Sequence, residues 1–230
     1  MQYKVSYIKN IQFFAGTVNM TTILLILHGE NEYVAKGRLA GRLPGVHLNE
    51  KGKKQAQTLA KVLGNAPIKA IYSSPLERCI ETAQPLADAR KLDILPRDGL
   101  LEIDFGSWQD KTLKSLRRRK LWKTVQGNPS RMEFPDGETF VNAQMRVTQE
   151  MEMLSKMHGP KEMIACFAHS DIIRLAVAYF IGTPLDLFQR IAVSPASIST
   201  IYLGEMGVRV FNVNQSLFFD FPAQKPKKKK

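Results

Sequence analysis

The apolar run Ile23-Leu24-Leu25-Ile26-Leu27 stops abruptly at His28 and Gly29, and this stretch constrains the chain more than any other. A run of that length and composition reads as a strand buried on both faces, which requires a sheet covered on two sides. Gly29 then permits a turn and lets a ligand approach the backbone closely. A histidine at the carboxyl end of such a strand lies where open α/β sheets place their ligand sites. Taken alone, His28 is more simply a core histidine satisfied by a neighbour.

The rest of the chain repeats the alternation of buried strand and helix. Glu30 to Leu48 is a long polar loop bearing Gly37, Gly41, Pro44 and Gly45, and loops of that length in a compact domain are usually functional. His47 within it reads as a surface turn residue. Asn49 caps a helix that ends near Gly64, with Leu59, Val62 and Leu63 on its apolar face. Ile68 to Tyr72 is a short strand. Ser74 then suits the cap of a helix starting at Pro75, since proline lacks only an N–H that would be orphaned there. That helix runs to about Arg90, with a kink expected at Pro85. Arg78, one turn in, is either paired with Glu81 or held near the sheet edge, where helix N–H groups also face an anion.

Leu92 to Leu95 suggests a third strand, and Glu102 follows between two apolar residues. It is either a solvent-facing residue or a carboxylate held partly dry, and partial burial would raise its pKa and suit it to donate a proton. Lys111 to Lys123 reads as a basic helix with Leu113, Leu116 and Leu121 packed inward, and Pro129 to Gly137 as a loop. Glu138 to His158 is the longest helix, with His158 at its end in a structural role. Met163 to Phe167 is another buried strand, and His169 follows it before a helix from Asp171 to about Ile181. Ile198 to Leu203 and Val208 to Val213 form a closing antiparallel pair.

Residues 1–19 are read as an N-terminal extension, 20–215 as one domain, and 216–230 as a basic disordered tail. The net charge of +12 favours anionic ligands without choosing among them. Part of it is the terminal lysine run, and part is the Lys111–Lys123 cluster. That cluster has no stacking aromatic beyond Trp122, so a solvated helix face is a simpler reading than a nucleic-acid interface. No stretch approaches the roughly 20 continuous apolar residues of a membrane span. Cys79 and Cys166 have neither metal-ligand nor redox spacing, which points to a reducing, cytoplasmic setting.

In a parallel sheet with right-handed crossovers the carboxyl ends of the strands share one edge, so His28, Arg78 and His169 can meet there with Glu102. The chemistry that needs this set is phosphoryl transfer through a histidine. A neutral imidazole attacks phosphorus, an arginine stabilises the equatorial oxygens, and a carboxylic acid protonates the leaving oxygen. Two histidines and a glutamate could also ligate zinc, but no His-Glu-x-x-His or comparable signature is present, so neither metal nor cofactor is expected.

The motifs carry a resemblance. Leu27-His28-Gly29, Ser73-Ser74-Pro75-Leu76-Glu77-Arg78-Cys79-Ile80-Glu81-Thr82-Ala83, Leu100-Leu101-Glu102-Ile103-Asp104-Phe105-Gly106-Ser107-Trp108 and His169-Ser170 occur in this order. In order and spacing, from Thr22 to about Asn214, the chain resembles the histidine phosphatase superfamily, the phosphoglycerate-mutase-like group. The resemblance implies an α/β fold, a three-layer α/β/α sandwich with a mostly parallel central sheet. It implies a nucleophile at His28, a proton donor at Glu102 and a second pocket histidine at His169, with Arg78, Gly29, Asn31 and Ser170 binding phosphate. The interval from Glu102 to His169 is short for the cofactor-dependent mutases of the group, which favours a phosphatase acting on a phosphorylated small molecule.

The chain departs from the family pattern at Leu27, where the family carries the arginine of Arg-His-Gly, at Val34, where mutases carry a phosphate-contacting asparagine, and at Ser170, where glycine is usual. Ser170 still offers its backbone N–H. Losing a preorganised donor at position 27 would cost on the order of 10²–10³ in rate. Arg38 or Arg42 from the long loop is the expected substitute cation. A disabled relative that only binds a phosphorylated ligand is the competing reading, and a mutase-type phosphotransferase a further one.

Overall fold

The computed structural model describes residues 20–204 and 207–216. The expectations for the N-terminal extension and for the lysine tail beyond residue 216 lie outside the described residues. Strand β1 (Met20–Leu27) is buried along its whole length, as its unbroken apolar run requires. A short helix α1 (Glu32–Ala35) interrupts the long loop after it, and Asn31 caps this turn through its side chain. Helix α2 (Glu50–Leu63) starts where expected, with the Asn49 carboxamide accepting the Gly52 N–H at 2.9 Å. Strand β2 (Ile68–Ser73), helix α3 (Glu77–Arg90) and strand β3 (Ile94–Pro96) follow.

Then come two short helices, α4 (Leu113–Leu116) and α5 (Trp122–Gly127), and the long α6 (Phe140–Met157). Strand β4 (Met163–Ala168) leads directly into α7 (Ser170–Ile181), and β5 (Ile198–Gly204) and β6 (Gly207–Gln215) close the sheet. The sheet has six strands in the order β3-β2-β4-β1-β5-β6. β1, β2, β3 and β4 run parallel, and β5 is antiparallel to β1 and to β6.

Alternation along β1 divides the core into two layers. Ile23, Leu25 and Leu27 join the apolar faces of α6 and α7, including Phe140, Val147, Met151, Ile172 and Leu175. Leu24 and Ile26 pack with α2 and α3 through Leu59, Leu63, Cys79, Ala83 and Leu86. Helices on both faces make the three-layer sandwich the resemblance implied. Each fully buried aliphatic side chain contributes about 1.5–3 kcal/mol, so the two clusters hold the sheet edge rigidly.

Three local readings change. The first turn of α3 begins at Glu77 with Leu76 at its cap, and Ser74 does not cap it; the serine is drawn to a histidine instead. α3 also runs without interruption through Pro85. The basic segment is two short helices rather than one, because Arg117 to Leu121 supplies too little apolar surface to hold a continuous helix on the core. Leu116 is buried, but Leu121 is exposed. His158 sits at the C-terminal cap of α6 in the structural role expected of it. Its Nδ1–H donates to Glu162 at 3.1 Å, and its Nε2 accepts from the Tyr72 hydroxyl at 2.9 Å. His47 is a surface residue paired with Glu81, as a turn position allows.

Candidate active site

The parallel register puts the ends of β1, β4 and β2 side by side. The His28 N–H donates to Ala168 O at 3.1 Å, and the Ser74 N–H donates to Phe167 O at 2.9 Å. His28 and His169, each one residue past its strand, therefore face each other with ring centroids 5.3 Å apart. Both are buried, and Arg78 between them is 1% exposed.

Hydrogen bonds fix the state of each ring. The His28 Nδ1 lies 2.7 Å from the Gly29 carbonyl, which can only accept, so Nδ1 carries the proton and Nε2 keeps its lone pair. Burial, reinforced by Arg78, lowers the His28 pKa to about 3, so the ring is neutral at pH 7. Arg78 Nη2 donates to His169 Nδ1 at 3.1 Å and to the Gly41 carbonyl at 2.8 Å. His169 must then carry its proton on Nε2, which donates to Ser74 Oγ at 2.8 Å. Burial first, then Arg78 and His28, holds the His169 pKa well below its ordinary value.

Glu102 is the opposite case. Burial raises its pKa to about 8, with the Asp171 carboxylate adding to the rise and the Ile103 N–H and Arg78 opposing it. It is therefore protonated at neutral pH. The buried reading of Glu102 holds, with 8% exposure. Arg78 does not pair with Glu81, which is spent on His47 and the Leu48 N–H. Among the described residues no carboxylate lies within ion-pair distance of Arg78, and its buried Nη1 has no hydrogen-bond partner. The Asn31 Nδ2 is also buried without an acceptor. Two buried donors without acceptors, one of them the Arg78 guanidinium, leave this part of the chain short of an anion.

Gly29 and the loop after it are held from two sides. The Gly29 N–H donates to Thr82 Oγ1 at 2.9 Å, and the Glu30 N–H donates to Gln55 Oε1 at 2.8 Å. A methyl group at Gly29 would lie 2.7 Å from the Gly52 carbonyl, and one at Gly52 would lie 2.1 Å from the Glu30 carbonyl. Ser170 is the first residue of α7, directly after His169, and Val34 is exposed.

The two arginines expected to replace the missing one differ. Arg38 is half-buried, and its Nη2 is held by Asp110. Arg42 lies close enough to His169 to lower its pKa, and it bonds the Glu102 carbonyl through Nε at 2.7 Å and Glu138 through Nη2 at 2.9 Å. Sequence reasoning missed Thr82, Gln55 and the close contact of Gly29 with Gly52. The signal was present in Gly52, since a glycine inside a first helical turn costs about 1 kcal/mol and needs a packing reason. Among the described residues no three His, Cys, Asp or Glu side chains are grouped as a metal ion would need.

A three-layer sandwich with a mostly parallel sheet carries a neutral histidine pair, a buried arginine and a protonated carboxyl at one sheet edge, the set that phosphoryl transfer through a histidine would need. Comparison with known proteins gives the family. The model of the histidine phosphatase superfamily (branch 1) matches residues 23–216, and the chain belongs to that superfamily. It is 29% identical to phosphoserine phosphatase 1 of Hydrogenobacter thermophilus over 85% of this chain and 92% of that protein. It is also 29% identical to the 2,3-bisphosphoglycerate-dependent phosphoglycerate mutase of Thermoplasma acidophilum, over 79% of this chain and 87% of that one. Among solved structures, Bacillus stearothermophilus YhfR superposes with a TM-score of 0.80 at 26% identity, covering 85% and 98% of the two chains. The mycobacterial glucosyl-3-phosphoglycerate phosphatase shares the fold, with a TM-score of 0.77 at 22% identity over 86% of this chain and all of that one.

Proposed function

We propose that this chain is a phosphatase that hydrolyses the phosphomonoester of a small molecule through a phosphohistidine on His28. The observation that carries the reading is the buried Arg78, whose free Nη1 and missing counter-ion call for an anion, with its charge felt by His28, whose Nε2 is unprotonated. The lone pair of Nε2 attacks phosphorus, the bond from phosphorus to the leaving oxygen breaks, and Glu102 gives that oxygen its proton. In the second step Glu102, now a carboxylate, takes a proton from water as the water oxygen displaces the imidazole. Arg78, the Asn31 carboxamide, and the N–H groups of Gly29 and Ser170 bind the phosphoryl oxygens. His169 stays neutral and orients Arg78.

Leu27 removes one cation from this set, so turnover is weakened. Of the two candidate substitutes, Arg42 is the better supported, because its charge lies beside His169 and the Glu102 backbone while that of Arg38 is spent at the surface. The substrate is a phosphorylated metabolite rather than a nucleic acid, and the buried free cysteines suit a cytoplasmic protein. The test is hydrolysis of p-nitrophenyl phosphate by wild type and His28→Ala, with acid-labile, base-stable label from ³²P-substrate trapped on the wild type alone. Equal rates in the two proteins would overturn the mechanism.

One observation favours a second reading. Leu27 also fits a site that binds a phosphorylated ligand without turning it over, and wild-type protein that binds phosphate but neither hydrolyses esters nor acquires label would establish it. The relationship to a phosphoglycerate mutase adds a mutase-type transfer to a second hydroxyl, detectable as isomerised product in place of free phosphate.

A further inference from the structure

Glu102 sits on a stretch, Leu101 to Phe105, that belongs to neither helix nor strand. A proton donor there has no ladder of backbone hydrogen bonds to aim it, so something else must hold the chain. The backbone groups of this stretch are gathered by three charged residues from distant parts of the sequence, two through their guanidinium groups and one through its backbone N–H. Arg42 Nε donates to the Glu102 carbonyl at 2.7 Å. Arg146 Nη1 donates to the Leu101 and Gly99 carbonyls at 2.9 and 3.0 Å. The Glu138 N–H donates to the Asp104 carbonyl at 2.8 Å.

The two guanidinium groups meet on one carboxylate. Glu138 Oε2 accepts from Arg42 Nη2 at 2.9 Å, and its two oxygens accept from Nε and Nη2 of Arg146 at 3.0 and 2.9 Å. Glu138 is only 14% exposed, so these charge-assisted bonds are poorly screened. The Gly41 carbonyl, next in the chain to Arg42, receives Arg78 Nη2 at 2.8 Å, so the phosphate cation is the fixed reference against which this stretch is placed.

We propose that Glu138 is a positioning residue for the proton donor: through Arg42 and Arg146 it fixes the Leu101–Glu102 backbone relative to Arg78, and so aims the Glu102 carboxyl at the leaving oxygen. The proposal rests on the phosphatase reading above. No atom of Glu138 needs to touch substrate. A displacement of about 1 Å at the acid can cost on the order of 10² in rate, and only reactions that need the proton register it. Glu138→Gln turns one acceptor into an NH₂ group facing a guanidinium, which opens one of the two forks. Arg146→Lys keeps the charge but cannot hold the Leu101 carbonyl and both Glu138 oxygens together.

The test compares a good leaving group, p-nitrophenyl phosphate, with a poor one, glycerol 3-phosphate, in wild type, Glu138→Gln and Arg146→Lys, with folding checked by circular dichroism. The expected result is a fall in kcat on glycerol 3-phosphate of about 10–100-fold in both variants. On p-nitrophenyl phosphate kcat falls less than about threefold, because that leaving group departs without help. KM for both substrates changes little. Equal losses on the two substrates, a loss carried by KM, or no loss would overturn the proposal. If Glu138→Gln does not fold, Arg146→Lys decides. A wild type inactive on both substrates, or a His28→Ala protein as active as wild type, removes the phosphatase reading itself, and is seen before any Glu138 variant is read.

Discussion

The uncompensated charge of Arg78 makes a measurable thermodynamic prediction. At pH 7 both histidines are neutral and Glu102 is protonated, so the pocket holds a buried cation with no partner anion. A phosphate dianion that binds only the folded state stabilises it by RT ln(1 + [L]/Kd), about 2.7 kcal/mol at a hundredfold excess over Kd. At about 2–4 °C per kcal/mol for a domain of this size, wild-type Tm should rise by roughly 5–11 °C in saturating phosphate over chloride of equal ionic strength. Arg78→Met removes the attraction. Without ligand, the substitution relieves a desolvation cost of several kcal/mol. It also strands the Gly41 carbonyl and His169 Nδ1, at about 1–3 kcal/mol each. These nearly cancel, so the unliganded variant melts within a few degrees of wild type while its phosphate response falls below about 1 °C. Differential scanning fluorimetry reads both. A phosphate-dependent rise retained by Arg78→Met would refute the assignment of Arg78 as the phosphate cation.

Other expectations follow from the same geometry. With Glu102 acting as acid from a pKa near 8, kcat/KM on an alkyl phosphate falls above about pH 8, and this alkaline limb disappears in Glu102→Gln. The same shift acts on stability: Glu102 has a folded pKa above its unfolded value, so the folded protein binds the extra proton and loses stability as pH rises from about 4.5 toward 8. The neutral histidines act in the other direction, losing stability as pH falls below 6.5; above that pH the Glu102 effect is joined only by that of exposed His47, whose pKa Glu81 raises, so Glu102→Gln should flatten most of the Tm profile between pH 6.5 and 8.5. Gly52→Ala forces a methyl group to 2.1 Å from the Glu30 carbonyl and should cost about 1–3 kcal/mol by urea denaturation, with weakened phosphate binding. A wild-type midpoint in that variant would show that α2 does not brace the phosphate loop.

The strands and the ends that carry His28 and His169 were legible because an unbroken apolar run has few fates. β1 and β4 are covered on both faces, and the residue after each must emerge at the same edge of a parallel sheet. Arg78 was legible as a position but not as a partner. Spacing put Glu81 within reach, and only tertiary packing shows Glu81 turned outward to His47 while the arginine turns inward to His169. Ser74 failed for a related reason, since a buried imidazole N–H is a more demanding partner than a helix start that stays near water. The Glu138 hub could not be read at all. Its partners Arg42 and Arg146 are 96 and 8 residues away, and a charged residue before a long helix is indistinguishable in sequence from a solvated one.

Leu27 is where the strand and the chemistry conflict. Its N–H and carbonyl are fixed by Ser197 and Ala196, and its side chain lies with Ile23 and Leu25 in the larger apolar cluster. An arginine there forfeits the roughly 1.5–3 kcal/mol of a buried leucine and must carry its guanidinium past that cluster to the anion. Leu27→Arg is therefore expected to melt below wild type without ligand and to gain more from phosphate than wild type does, because two cations then share one anion. If the native site is a weakened phosphatase, the restored donor raises kcat/KM by up to about 10²–10³ on p-nitrophenyl phosphate. A rate unchanged by Leu27→Arg, in a protein whose phosphate response has grown, would mean that Arg78 and Arg42 already supply the charge the transition state needs, and that the leucine belongs to the core alone.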